Sequence, residues 1–412
     1  MNAYGAIILA AILLETGMRR YADLRNLRAL RDELPSEFVG VYDADDYARS
    51  QRHTRERTRL GTLAAAVRLV ALLVFWFAGG FAWLDGVVAG LEIGPVGRGL
   101  VFVGALVGAQ ALLALPLRAY STFVLEARYG FNKTTVGVFV ADMLKGAALA
   151  VVLGGALLAG VLALLVYAGP WAWLYAWVAA SLFLAAVQFV LPTWIMPLFN
   201  TYTPLEDGEL RRGISAYAES VGFPLGAVLV MDGSRRSSRA NAFFTGFGRT
   251  RRIALFDTLI EQHPVPELLA VIAHELGHWR ERHVLKGMAL SVLQLGVMLA
   301  LLAWALEQRG LFAAFGVETP SVHAGLVFFL LLITPIEFAL SIALNALSRR
   351  HERQADAFAS RTTGSPESMV SALKTLAKNN LANLTPDRLY VALTYSHPPV
   401  LERIACLRER SG

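Results

Sequence analysis

The 412-residue chain has a single cysteine, Cys406, so no disulfide can form within it, and the lone thiol reads as a small buried residue with no role of its own. Charge is scarce as well. Asp, Glu, Lys and Arg make up 17% of the residues against about 25% in an average soluble domain, and 55% are hydrophobic, more than one water-soluble core can hide. That shortage excludes an ordinary soluble domain and points to a bilayer. No nucleic-acid motif is present, and the formal charge of +6 comes from basic residues lying between apolar runs, where they orient a chain in a membrane. The first run, residues 3–18, lacks the basic leader of a secretory signal, carries Glu15 and is short for a span.

Longer apolar runs lie at 62–84, 99–119, 146–168, 171–194, 284–306 and 324–347, each near the roughly 20 residues a crossing helix needs. With the first run included, the expected fold is an all-α polytopic membrane protein of about seven transmembrane helices. Lys and Arg crowd 19–61, 118–145, 195–283 and 348–412 but are sparse in 85–98, 169–170 and 307–323, which places the N-terminus outside and the C-terminus in the cytoplasm. Glu126, Asp142, Lys145 and Glu337, in or beside apolar runs, are expected to face protein or a wet cavity and to be paired. The chain therefore divides into spans with their loops (1–194), a cytoplasmic insert (195–283), two further spans (284–347) and a cytoplasmic helical tail (348–412).

The insert changes character, with Gly, Ser, Arg and Pro as punctuation. Residues 209–221 suit a helix, 227–231 and 252–256 suit short strands, and 240–247 (A-N-A-F-F-T-G-F) are strand-like and aromatic. An exposed edge of such a sheet could accept a peptide as an added strand, and the alternative is a packed hairpin with Phe243 and Phe244 in a core.

The chemistry concentrates in 271–282, V-I-A-H-E-L-G-H-W-R-E-R. On a helix His274 and His278 share a face one turn apart, so both imidazoles can reach a single Zn²⁺. Glu275, beside the pair, is placed to take a proton from a water whose acidity the ion has raised. This H-E-x-x-H arrangement is the machinery of peptide hydrolysis. No third His follows at the spacing of the extended H-E-x-x-H-x-x-G-x-x-H pattern, so another ligand must come from elsewhere. Glu352, just beyond the run 324–347, belongs to the same cytoplasmic level as His274, just before the run 284–306. Asp356, a helical turn further on, could accept the remaining N–H of a ligand imidazole. His351 is a rival ligand but points about 100° away from the Glu352 and Asp356 face. His397, in Y-S-H-P-P, could donate to a developing oxyanion or merely cap a turn.

Several separated motifs in order carry a family resemblance: P-S-E-F-V-G-V-Y at 35–42, A-N-A-F-F-T-G-F at 240–247, R-I-A-L-F-D-T-L at 252–259, H-E-L-G-H at 274–278, E-x-x-x-D at 352–356 and S-H-P-P-V-L-E-R-I at 396–404. The chain resembles the integral-membrane zinc metalloproteases called CAAX prenyl protease 1, or a-factor-converting enzyme, over nearly its whole length. The resemblance implies a helical barrel around a water-filled chamber, one zinc ion on His274, His278 and Glu352, and Glu275 as general base. It also implies transition-state assistance from His397, a polar shell containing Asp356 and Arg403, and a substrate-lining strand near Asn241, Ala242 and Phe243. A peptide or lipidated peptide would be the substrate and membrane lipids the surroundings. The Ala, Gly and Arg-rich composition looks bacterial and suggests an inner-membrane location. The competing class is a polytopic transporter or lipid-binding protein in which zinc is purely structural, closed by four protein ligands.

Overall fold

In the computed structural model, which describes residues 1–245 and 251–409, the chain is mostly helical with one four-stranded sheet. Five helices are long and apolar enough to cross a membrane: Ala44–Phe77, Gly94–Glu126, Val136–Tyr167, Gly169–Leu198 and His283–Leu306. Only 6% to 17% of the apolar window in each is buried, so these side chains point away from the protein, as lipid-facing residues do. Large apolar side chains such as Leu112, Leu144 and Leu182 are exposed on them.

The run 324–347 forms two helices rather than one, Val322–Leu332 and Thr334–Thr363, which meet at 54°. The break falls at Ile333, just before Pro335, whose missing N–H cannot bond to the preceding turn. Counted as one bent crossing, this pair gives a sixth span. The first helix, Ala3–Arg28, is less apolar than these and starts on an Asn2 side chain that accepts from the Gly5 N–H. Its buried Ile8 and Ile12 join Phe102, Phe312, Phe315 and Phe328 in a core between helices. Against the expected count of about seven, the described residues hold five long spans, or six with the bent pair, and helix Ala3–Arg28 is not apolar enough to be counted with them.

The insert folds into a sheet of order β1-β2-β4-β3, where β1 is Tyr202–Pro204, β2 Leu225–Met231, β3 Ala242–Thr245 and β4 Arg251–Phe256. β2 and β4 run parallel, while β3 lies antiparallel on β4 with Phe243 opposite Ala254 and Phe244 opposite Ile253. β3 is therefore an edge strand, and its hairpin is also packed, because Phe244 leans on the core beneath. Gly246 and Phe247 of the aromatic motif lie outside the described residues. Helix Glu209–Ser220, with its buried Ile214, joins Ile253, Leu255, Leu276 and Phe358 in that second core. The sheet is thereby fixed against helix Val265–Arg280, which carries the H-E-x-x-H motif, and against helix Thr334–Thr363.

Candidate metal centre

Helix Val265–Arg280 begins after Pro264, with Pro266 in its first turn where a missing N–H costs nothing, and with Glu267 favourably near the positive end of the helix dipole. Glu267 is tied down by His263 Nδ1 at 2.7 Å. The chain leaves the motif through Arg282 in the left-handed region, φ 57°, and at once starts helix His283–Leu306. The motif helix thus starts at a Pro264-Val265-Pro266 turn and ends at a sharp stop.

Gly277 sets how closely the motif helix meets helix Thr334–Thr363. A Cβ on this residue would stand 2.9 Å from Ala355 Cα and 3.0 Å from the Ala355 carbonyl oxygen, closer than packed atoms allow. With hydrogen there instead, and with the small Ala355 opposite, the two helices approach until Glu352 faces the histidine pair. His274 and Glu352 are both buried.

The Nε2 atoms of His274 and His278 lie 3.2 Å apart. Glu352 Oε2 is 3.3 Å from His274 Nε2, and Oε1 is 3.3 Å from His278 Nε2. A tetrahedral ion with bonds of about 2.0–2.1 Å separates its ligands by about 3.3 Å, so these three donors stand at the spacing zinc requires. Glu352 Oε2 is buried with no hydrogen-bond partner, an arrangement that a cation would satisfy. Among the described residues, His274, His278 and Glu352 are the three-donor group of this kind. Three donors leave a coordination position open, whereas a structural site would close it with a fourth.

Both ligand imidazoles are held from behind. His274 Nδ1 donates to Asp356 Oδ1 at 2.9 Å, which frees its Nε2 lone pair for a metal. Arg403 clamps that carboxylate through two donors, Nη2 at 2.6 Å and Nε at 2.8 Å. Burial alone would lower the His274 pKa, but the Asp356 and Glu352 carboxylates raise it to about 9. His278 is oriented differently, with its Nδ1 3.0 Å from His283 Nδ1 and His283 Nε2 3.0 Å from Gln354 Oε1. His351, the rival ligand, is stacked on the His283 ring at 4.0 Å between centroids and is not part of the three-donor group.

Glu275 follows His274 in the same helix, half-buried, and burial pushes its carboxyl above the usual range while the two imidazoles pull it back. His397 reaches the cluster from the segment before the last helix, its Nε2 3.3 Å from Glu352 Oε1, and its side chain is 62% exposed, so an incoming molecule can meet it. Phe243 lines a cavity of ≈ 750 Å³ together with His278, while Ala242 is buried and Asn241 accepts from the Ala242 N–H at 2.9 Å. Asn241 itself lies in a different cavity from Phe243. The structure thus brings His274, His278, Glu352, Asp356, Arg403 and His397 together, with Glu275 beside them, while Asn241, Ala242 and Phe243 are spread over two cavities and a buried position. It also adds His283 and Gln354, for which the crowding of His274, His278, His283 and His351 was the available sequence signal.

Two family descriptions match the chain in succession: "CAAX prenyl protease N-terminal, five membrane helices" over residues 23–201, and "Peptidase family M48" over residues 204–411. Among curated relatives, the chain is 36% identical to the CAAX prenyl protease 1 homolog of Arabidopsis thaliana over 94% of this chain and 93% of that one. It is 32% identical to CAAX prenyl protease 1 of Saccharomyces cerevisiae, covering 94% and 91% of the two chains. The crystal structure of S. mikatae Ste24p superposes with a TM-score of 0.93 at 32% identity and 99% coverage of both chains. The donor geometry, the membrane helices and these likenesses converge, and the chain belongs to peptidase family M48 as an integral-membrane metalloendopeptidase.

Proposed function

We propose that one zinc ion per chain is held by His274, His278 and Glu352, and that the protein cleaves peptides, including prenylated ones of the kind named for its relatives. The observation that carries this reading is the set of three donors at 3.2–3.3 Å with Glu275 in the adjoining position. Zinc bound there supplies Lewis acidity, which polarises a carbonyl and acidifies water. Glu275 accepts the proton of the attacking water as the O–C bond forms, then returns it to the amine as the C–N bond breaks. His397 donates to the carbonyl oxygen as that oxygen gains charge. Asp356 and Arg403 keep His274 in the tautomer that leaves Nε2 free. A substrate added as a strand to the β3 edge, along Asn241, Ala242 and Phe243, lays its backbone across the cleft.

In the same reading the insert, the site and the C-terminus face the cytoplasm and the N-terminus lies outside, supported by the distribution of Lys and Arg. A bacterial inner membrane rests on composition alone. The test is cleavage of a farnesylated peptide by wild type and Glu275→Gln, with zinc measured in both. We expect equal zinc and a fall in turnover of about 10²–10⁴-fold, and unchanged turnover in the zinc-loaded variant would contradict the role of Glu275.

A further inference from the structure

His397 sits in a short connection between helices Arg388–Thr394 and Val400–Glu409, outside the helices that carry the metal ligands, and its side chain is 62% exposed. Its ring meets Ser396 Oγ, 2.9 Å from Nδ1, and Glu352 Oε1, 3.3 Å from Nε2. A donor that waits for charge to develop has to be in place beforehand, because a misplacement of about 1 Å can cost on the order of 10²-fold in rate. The backbone on either side of residue 397 therefore has to supply the rigidity that an exposed ring lacks.

On the C-terminal side, Pro398 and Pro399 are both buried and their rings fix φ, while the Pro399 carbonyl accepts from the Arg403 N–H at 3.1 Å. On the N-terminal side the chain arrives through helix Arg388–Thr394, whose last carbonyls lack partners within the helix. Helix Thr334–Thr363 meets them. Asn345 Nδ2 donates to the Leu393 carbonyl at 3.2 Å, and Arg349 Nη1 donates to the Val391 carbonyl at 3.2 Å and to the Tyr395 carbonyl at 2.7 Å. A cation giving hydrogen bonds to carbonyls at the negative end of a helix is favoured by its charge as well as by the bonds. Asn345, Arg349, Glu352 and Asp356 follow one another at spacings of four, three and four, so they share one face of one helix. The face that offers Glu352 to the metal and backs His274 with Asp356 also grips the chain two residues before His397.

We propose that Arg349 is a positioning residue for His397: by holding the Tyr395 carbonyl, with Asn345 beside it, its guanidinium aims the His397 imidazole at the substrate carbonyl oxygen. This rests on the role given to His397 above. Glu352 and the grip on His397 ride on the same rigid helix, so a small movement of that helix carries both and keeps the metal site and the oxyanion donor in step.

The test is a double-mutant cycle on full-length zinc-loaded enzyme cleaving a farnesylated peptide, with kcat, KM and zinc content read for wild type, Arg349→Met, His397→Ala and the double variant. His397→Ala should lower kcat by about 10²-fold, the scale of a lost oxyanion donor. Arg349→Met should lower kcat by about ten- to a hundredfold with KM and zinc content near wild type, and Arg349→Lys, which keeps a charged donor, should recover most of that loss. Once His397 is gone, Arg349→Met should cost no more than about twofold, because its effect passes through the missing ring. Asn345→Ala should repeat the pattern on a smaller scale. Rates are taken per bound zinc, so protein that has not folded drops out of the comparison. An equal loss from Arg349→Met with and without His397, or a loss of zinc from that variant, marks a general structural prop and overturns the proposal. An unchanged kcat in Arg349→Met beside an impaired His397→Ala overturns it too. An unchanged kcat in His397→Ala removes the oxyanion role itself, and that of Arg349 with it, while the peptidase reading stands. Failure of zinc-loaded wild type to cleave the peptide overturns the peptidase reading.

Discussion

The membrane spans and the junction that holds the metal centre are built from opposite materials. Leu112, Leu144 and Leu182 lie exposed along helices with little of their apolar surface buried, whereas His274, Glu352 and Asp356 are buried polar groups locked to one another. A lipid-facing leucine has the same surroundings after a small change as before it. A buried carboxylate in the junction loses specific partners, and those partners are then left unpaired. The difference teaches that composition sets where the spans lie, while donor geometry and close helix contact set the site.

The comparison is broken most severely by Glu352→Ala, which should abolish both metal retention and peptide cleavage, read by elemental analysis and turnover on one preparation. Next comes Gly277→Ala. The new Cβ would need the backbone at Ala355 to move, so the helices separate and zinc affinity should fall by at least tenfold in a metal titration. Asp356→Asn removes the charge that fixes His274 and should weaken zinc binding by about 10–100-fold, with His283→Ala giving a smaller loss through His278.

Acidity sharpens the same contrast. A proton competes with metal for His274, whose pKa is about 9 without metal, so apparent zinc affinity should climb about tenfold per pH unit up to that value. The stability that protonated His274 gives the metal-free protein is full below about 6.5 and is lost as pH rises through about 9. At the small end of the scale, Leu182→Ala on a lipid-facing surface should alter stability by no more than about 0.5 kcal/mol, seen as an unchanged melting temperature in detergent.

Much of this was legible in the chain because local spacing carries it. His274 and His278, and likewise Glu352 and Asp356, are one helical turn apart, and their meeting follows from two apolar runs that end at the same level. Other parts depend on turns that spacing does not reveal. The break at Ile333 divides one apolar run, since a proline in such a run can bend a helix or merely start one. β1 is only three residues and ends in Pro204, too short and too irregular for a period-two signal. His283 reaches His278 because Arg282 reverses the chain with a positive φ, which no helical count from the motif anticipates. Arg349 and the His397 segment lie far apart in the chain, and only the fold brings that side chain to the Tyr395 carbonyl.

The most direct measurement is the location and stoichiometry of zinc by anomalous scattering and elemental analysis, in wild type and in Glu352→Ala. The account predicts one ion per wild-type chain, between His274, His278 and Glu352, and its loss from the variant. A full complement of zinc in Glu352→Ala, or an ion seated away from the two imidazoles, would contradict it.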